Sequence, residues 1–216
     1  MSYPAGTSPA AQDGFAALRR HMRPRPPGER CELCNAGLAA EHAHLLELER
    51  RELRCACEAC AILFSGQDKA KFRRLPRRSR TLPDFRLTDG QWEAMNIPVG
   101  MAFMFHHSEA GRVMAYYPGP AGATESLLDL ESWLELVNDN PILKQLEPDV
   151  EALLVNRVRG ARAYYTVPLD QCYKLVGVIR LGWHGLSGGL AVWDDVQQFF
   201  DELQARATPL RQETHA

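Results

Sequence analysis

The chain has 216 residues, 45% of them hydrophobic and 24% charged, with a net charge of −2, an ordinary composition for a soluble globular protein with one good-sized core and a small module beside it. Its runs of apolar residues stay short of the ~18 needed for a transmembrane helix, and the opening "MSYPAGTSPAAQDG" has no basic segment followed by an apolar one, so no secretory signal and a cytoplasmic location are expected. The charge is unevenly spread: residues 1–86 carry 16 Lys+Arg against 10 Asp+Glu, and residues 87–216 carry 9 against 17, which points to an anionic partner for the front, a solvated basic face, or docking between the halves.

In chain order, residues 1–29 read as a disordered segment, a short amphipathic helix at Asp13–Met22 and a proline-rich linker, "RPRPPGER", in which Pro removes donors and fixes φ. Residues 30–68 form a cysteine module. Between its cysteine pairs, "HLLEL" and "ELRCAC" read as two strands around a turn, although Ala, Leu, Glu and Arg there favour helix by propensity. Residues 69–86 follow as a basic linker; "KAKFRRLPRRSR" holds seven basic residues in twelve and one aromatic, Phe72. Residues 87–207 read as an α+β domain and 208–216 as a flexible tail.

Within that domain, "TDGQWEAM" opens with Thr88 as a helix cap and Gln91 at the capping-box position. "PVGMAFMFHH" and "GRVMAYYP" predict a hairpin. "GPAGATES" is glycine-rich and reads as a turn opening a helix, capped by Thr124 or Ser126, with a weak resemblance to an anion site. The helix after it repeats Leu127, Leu130, Leu134 and Val137 at helical spacing. "EALLVNRVRGARAYYTVP" predicts a second hairpin. "LDQCYKLVGVIR" predicts a helix capped by Asp170 with Cys172, Leu175, Val176 and Ile179 on one face. After the loop "GWHGLSGG", a last helix turns Val196, Phe199, Phe200 and Leu203 inward. The two hairpins pair into one antiparallel sheet covered by helices. Repetition of hairpin then helix suggests a weak duplication.

The chemistry concentrates in the cysteines. In a reducing compartment clustered thiols are metal ligands before they are disulfides. A C-x-x-C turn bends two sulfurs to one side. Cys31/Cys34 is one such turn and Cys57/Cys60 the natural second, the latter leading into a helix N-terminus whose dipole favours thiolate. Cys55 is a surplus thiol: if residues 53–57 are extended, Cys55 and Cys57 face the same side, and Cys55 could take the place of Cys57. His44, and less readily His42, could supply a nitrogen ligand. Four thiolates suit zinc or iron; structural zinc is expected, since the segment between the pairs lacks the aromatic shell of a rubredoxin-type iron site and the spacing fits neither common ferredoxin pattern. A saturated site of this kind is not catalytic. Elsewhere His106, His107, His184 and Cys172 lack a sequence-local partner, and the four tyrosines Tyr116, Tyr117, Tyr164 and Tyr165 lie on strands as core or interface residues, so nothing points to an enzyme.

Long segments of the chain, among them "RCELC", "HAHLLEL", "RELRCACEACAILF", "AYYPGPAGATESLLDL" and "VPLDQCYKLVGVIRLGWHGLSGG", resemble an uncharacterised actinobacterial family, a domain of unknown function, whose genes are often found in nickel–iron hydrogenase gene clusters. The resemblance spans most of residues 30–203 and implies a protein partner, either a hydrogenase subunit or a maturation factor. The expected protein is therefore a treble-clef- or zinc-ribbon-like module joined to an α+β domain, acting as a non-enzymatic accessory, assembly or adaptor protein. Two other classes remain open at this point: a rubredoxin-like electron carrier, and a nucleic-acid-binding or HNH-like protein suggested by "EHAH" and the Lys69–Arg80 run.

Overall fold

The computed structural model describes residues 28–66, 70–126, 130–184 and 189–211. The helix expected at Asp13–Met22 and the core of the glycine-rich loop lie outside these residues.

The cysteine module is a three-stranded antiparallel sheet with one helix. Strands β1 (Ala43–Glu47) and β2 (Glu52–Ala56) form the expected hairpin, followed directly by helix α1 (Glu58–Ser65). The basic stretch is not a plain linker. Its residues Phe72–Arg74 form β3, which pairs with the free edge of β1, and Arg80–Thr81 form β4 at the edge of the second sheet. Short arginine-rich edge strands lack the apolar alternation by which strands are recognised.

The second sheet has seven strands in the order β10-β4-β9-β8-β5-β6-β7. Its centre is the two predicted hairpins, β5 (Met101–His107) with β6 (Arg112–Gly119) and β8 (Glu151–Asn156) with β9 (Ala163–Pro168), joined antiparallel through β5 and β8. The last strand, β10 (Thr208–Pro209), pairs parallel to β4 in what was expected to be tail. Strand β7 (Gly122–Ser126) replaces the expected helix-opening turn: it lies antiparallel to β6, with Tyr117 opposite Thr124. Here cross-strand pairing wins over the glycine-rich local signal.

Strand alternation sorts the core into two layers. Met101, Phe103 and Phe105 of β5 and Ala152 and Leu154 of β8 face one side. There they meet Cys172, Leu175 and Ile179 of α4 (Leu169–Gly182) and Val196, Phe199, Phe200 and Leu203 of α5 (Gly189–Arg206). Ala102, Met104, Leu153 and Val155 face the other side, against Met95, Leu136, Ile142 and Leu143. These belong to, or follow directly after, α2 (Asp89–Ala94) and α3 (Leu130–Asp139). The predicted faces of α4 and α5 hold. That of α3 shifts: Leu134 is 49% exposed and Leu136 fully buried, with Trp133 and Val137 packed beside it. The predicted capping box of α2 is present, Gln91 N–H donating to Thr88 Oγ1 at 3.1 Å and Gln91 Oε1 accepting from Thr88 N–H at 3.0 Å. Asp170 does not cap α4; the cap position is Pro168. Among the described residues no helix is long and apolar enough to cross a membrane.

Strand β1 welds the module to this layered body. Ala43 and Leu45 point into the small cluster formed with Cys31, Cys60, Ala56 and Ala61, while Leu46 enters the main core alongside Leu75 and Leu154. The basic stretch supplies charge to the same junction. Arg73 reaches Asp149, Lys71 reaches Glu47, Arg74 and Arg77 share Glu58, and Arg78 lies near Glu147 and Glu151. Among the described residues only Arg73 and Arg78 of this stretch meet carboxylates of the acidic half of the chain, at Asp149, Glu147 and Glu151.

Candidate metal centre

The first cysteine turn is built by backbone. Asn35 N–H donates to Cys31 O at 2.7 Å and Cys31 N–H to Ala36 O at 2.8 Å, with Asn35 in the left-handed region at φ 63°. Asn tolerates that conformation better than most residues, and this permits the sharp return. Glu32 then locks the turn to β2: its N–H donates to Cys55 O at 2.9 Å and its Oε1 accepts from Cys55 N–H at 2.8 Å. The second turn is the start of α1. Cys57 is the helix cap, and its Sγ accepts from Cys60 N–H at 3.5 Å.

These two turns bring Cys31, Cys34, Cys57 and Cys60 together, with all four Sγ atoms within 4.8 Å of one another. A tetrahedral ion with bonds of ~2.3 Å to sulfur holds its ligands about 3.8 Å apart. Cys34 and Cys57 already stand at that separation, with their Sγ atoms 3.7 Å apart. Cys31 and Cys60 are buried and Cys34 is exposed at the rim. For Cys31, burial works against ionisation, but backbone N–H groups of Cys57, Cys34 and Leu33 outweigh it and bring its pKa down to about 6. Cys60 is driven the other way by burial and the neighbouring sulfurs, up to about 12. Cys31 is thus the readier of the two to lose its proton, and an ion bound by both would have to displace the proton of Cys60. The four are positioned to bind a metal ion.

The alternates named from sequence lie elsewhere, and strand geometry explains why. His44 and Cys55 are directly opposite in the β1–β2 register, so they share one face. That face is the reverse of the one on which Ala43 and Leu45 meet the cysteine cluster. The assumption that placed Cys55 beside Cys57 was an extended chain through residue 57. The pairing with β1 ends at Ala56; Cys57, still extended at φ −72° and ψ 160°, is the cap of α1, and its Sγ, not that of Cys55, joins the cluster. His44 instead donates from Nδ1 to Asp170 Oδ2 at 2.6 Å. That hydrogen bond raises its pKa against the opposing effect of burial. Burial first, then the charges of Glu29 and Glu32, push the Cys55 thiol up. His42, His44 and Cys55 form a second group of three, again with ligand atoms within 4.8 Å of one another. Asp170 is the residue that sequence reasoning missed. Its position at the start of a helix is equally natural for a cap, and its true partner is 126 positions away.

Of the remaining candidates, His107 Nδ1 accepts from Ala110 N–H at 3.1 Å inside the β5–β6 turn. Cys172 is fully buried, and its thiol is raised well above the ordinary value by burial.

Fold and site together define a mixed α+β protein with a four-cysteine cluster positioned to bind a metal ion. The chain belongs to the family of unknown function DUF5947, whose profile matches residues 30–207. No curated protein and no solved structure matches the chain.

Proposed function

We propose that the protein is a non-enzymatic accessory or adaptor protein whose N-terminal module is held by structural zinc, and that it serves a nickel–iron hydrogenase system by binding one of its subunits or maturation factors. The observation that carries this reading is the cysteine cluster: the chain supplies four soft ligands with Sγ atoms within 4.8 Å of one another, one pair at 3.7 Å, and an ion held by all four has no position left for substrate. Beside it α1 displays Ile62 and Leu63, 63% and 61% exposed, an apolar surface of the kind that meets a partner. The hydrogenase link rests on the resemblance drawn from sequence.

A nucleic-acid role gains no support from the basic stretch. Five of its seven cations, Lys71, Arg73, Arg74, Arg77 and Arg78, are engaged with carboxylates, so few remain to displace counterions from a phosphate backbone.

The test is elemental analysis with an absorption spectrum, followed by co-purification. A colourless protein whose Cys34→Ser/Cys60→Ser double variant holds one zinc fewer than wild type, together with hydrogenase subunits retained on the tagged chain, is the expected result. Iron with visible absorption would move the protein to the electron carriers. Unchanged hydrogenase assembly in a strain lacking the gene would overturn the accessory role.

A further inference from the structure

Behind the cysteine cluster, on the opposite face of the β1–β2 hairpin, lies a cavity of about 380 Å³ lined by His42, His44, Arg77, Asp170, Gln171 and Arg206, among others. The two imidazoles are held by their Nδ1 atoms. His42 Nδ1–H donates to Ala39 O at 2.9 Å, and His44 Nδ1–H donates to the Asp170 carboxylate at 2.6 Å. The rings stand edge to face, 4.8 Å between centroids. With the proton fixed on Nδ1, each ring presents its Nε2 lone pair, the tautomer that a metal ion requires. A carboxylate or carbonyl behind a histidine is the usual outer support of such a ligand. Cys55 is brought to the same place by its register opposite His44.

The cavity is also where the polar accounting fails. The buried side-chain N and O atoms without a hydrogen-bond partner among the described residues are His42 Nε2, Asp170 Oδ1 and Gln171 Oε1. All three belong to residues lining this one cavity, and the His42 side chain is only 7% exposed. Buried acceptors left without a donor or cation are costly and rare. Water alone would satisfy them, but water explains neither two anchored imidazoles nor a thiol converging with them. A metal ion carrying a water answers both: the ion takes the Nε2 lone pairs, and its water supplies O–H donors to the cavity.

We propose that His42 Nε2, His44 Nε2 and the Cys55 thiolate form a second metal site for a divalent ion of borderline softness such as zinc, with a fourth coordination position open to the cavity. The donor set of two imidazoles and one thiolate is one that zinc accepts. Ligand atoms of such a tetrahedron stand ~3.3–3.5 Å apart; each of the three residues already has one ligand atom within 4.8 Å of the others, so modest side-chain adjustment closes them onto the ion. Binding converts the Cys55 thiol to thiolate and releases its proton to solvent, with no change in oxidation state. The open position takes water or a small anion, and Arg206 on the cavity wall favours the anion. Unlike the four-cysteine cluster, this site holds an ion that can exchange or bind an external ligand. It stands apart from the accessory reading, and either can fail alone.

Cobalt(II) is the probe. The full chain, stripped with chelator and titrated anaerobically, should bind two equivalents of cobalt. Cys55→Ser and His42→Gln, tested separately so that a folding defect in one leaves the other informative, should each bind one. Both should keep the intense sulfur-to-cobalt absorption of the four-cysteine cluster. Asp170→Asn, a change at a positioning residue, should weaken only the second equivalent, by ~10–100-fold. Thiocyanate should alter the visible bands of wild type and leave those of Cys55→Ser unchanged. A single equivalent in wild type, or two equivalents persisting in both ligand variants, would overturn the site. Bands of wild type that do not respond to thiocyanate would overturn the open position.

Discussion

Replacing Asp149 with Asn should loosen the cysteine module from the larger sheet. The Asp149 side chain is 0% exposed and stands where three segments meet. Its Oδ1 accepts from Arg51 Nη1 at 2.7 Å and from Ser108 N–H at 3.0 Å, and its Oδ2 accepts from Arg73 Nη1 at 3.0 Å. Arg51 comes from the β1–β2 turn, Arg73 from β3 and Ser108 from the β5–β6 turn, so one carboxylate ties the module to the core sheet. Asparagine keeps the shape and accepts the left-handed backbone at φ 69°. Its Oδ1 still serves Arg51 and Ser108, but its Nδ2 now meets Arg73 donor to donor. Hydrogen bonds to charged groups contribute ~1.5–3 kcal/mol each. Losing one and stripping the charge from another gives a destabilisation of about 3 kcal/mol. At a urea dependence of ~2–3 kcal/mol per molar, the unfolding midpoint should fall by roughly 1 M. Acid adds a second readout. Burial opposes the ionised form, yet the hydrogen bonds from Ser108 and Arg51 prevail and hold the Asp149 pKa below its ordinary value of 3.8. Its stabilisation is therefore complete above that ordinary value and is lost as pH falls through the lower folded one. The gap between wild type and variant should be constant near neutrality and close in strong acid. A midpoint shift under ~0.2 M, or a gap independent of pH down to acid unfolding, would refute the argument that this carboxylate is the tie.

Three further outcomes follow from the same structure. Leu46→Ala, in a side chain only 1% exposed, should cost ~2–5 kcal/mol in equilibrium unfolding. Gly100→Ala places a Cβ 3.0 Å from Val158 N and 3.1 Å from the Arg157 carbonyl, backbone that cannot step aside; a loss of ~1–3 kcal/mol is expected by the same measurement. Removing metal with a chelator should raise amide exchange across residues 31–38 and α1, where, among the described residues, the buried apolar side chains besides the cysteines are only Ala43, Leu45, Ala56 and Ala61, with Leu33, Leu38 and Phe72 partly buried against them. Protection in β5 and β8 should be retained.

What could be read from sequence was whatever repeats. Both central hairpins, the α2 cap and the inner faces of α4 and α5 follow from periodicity and capping chemistry that act over a few residues. The failures are contacts at long range. Strand β7 forms because β6 offers an edge, and nothing local in "GPAGATES" encodes that edge. Strands β3 and β4 are arginine-rich and lack apolar alternation, and Asp149, which answers Arg73 of β3, lies far along the chain. At the metal centre the spacing of the cysteines was enough to assemble the four. Where Cys55 and His44 go depends on the β1–β2 register that sets them opposite each other, and their neighbour Asp170 arrives from 126 positions away.

Strand β1 has consequences for how the gene can change. Neighbouring positions on it serve opposite surroundings, thiols on one side and imidazole with Leu46 on the other. Insertion or loss of a single codon within Ala43–Glu47 would exchange those surroundings wholesale and spoil both at once. Viable length variation should therefore collect in the turn at residues 48–51, and the strand itself should tolerate substitution far better than a change in length.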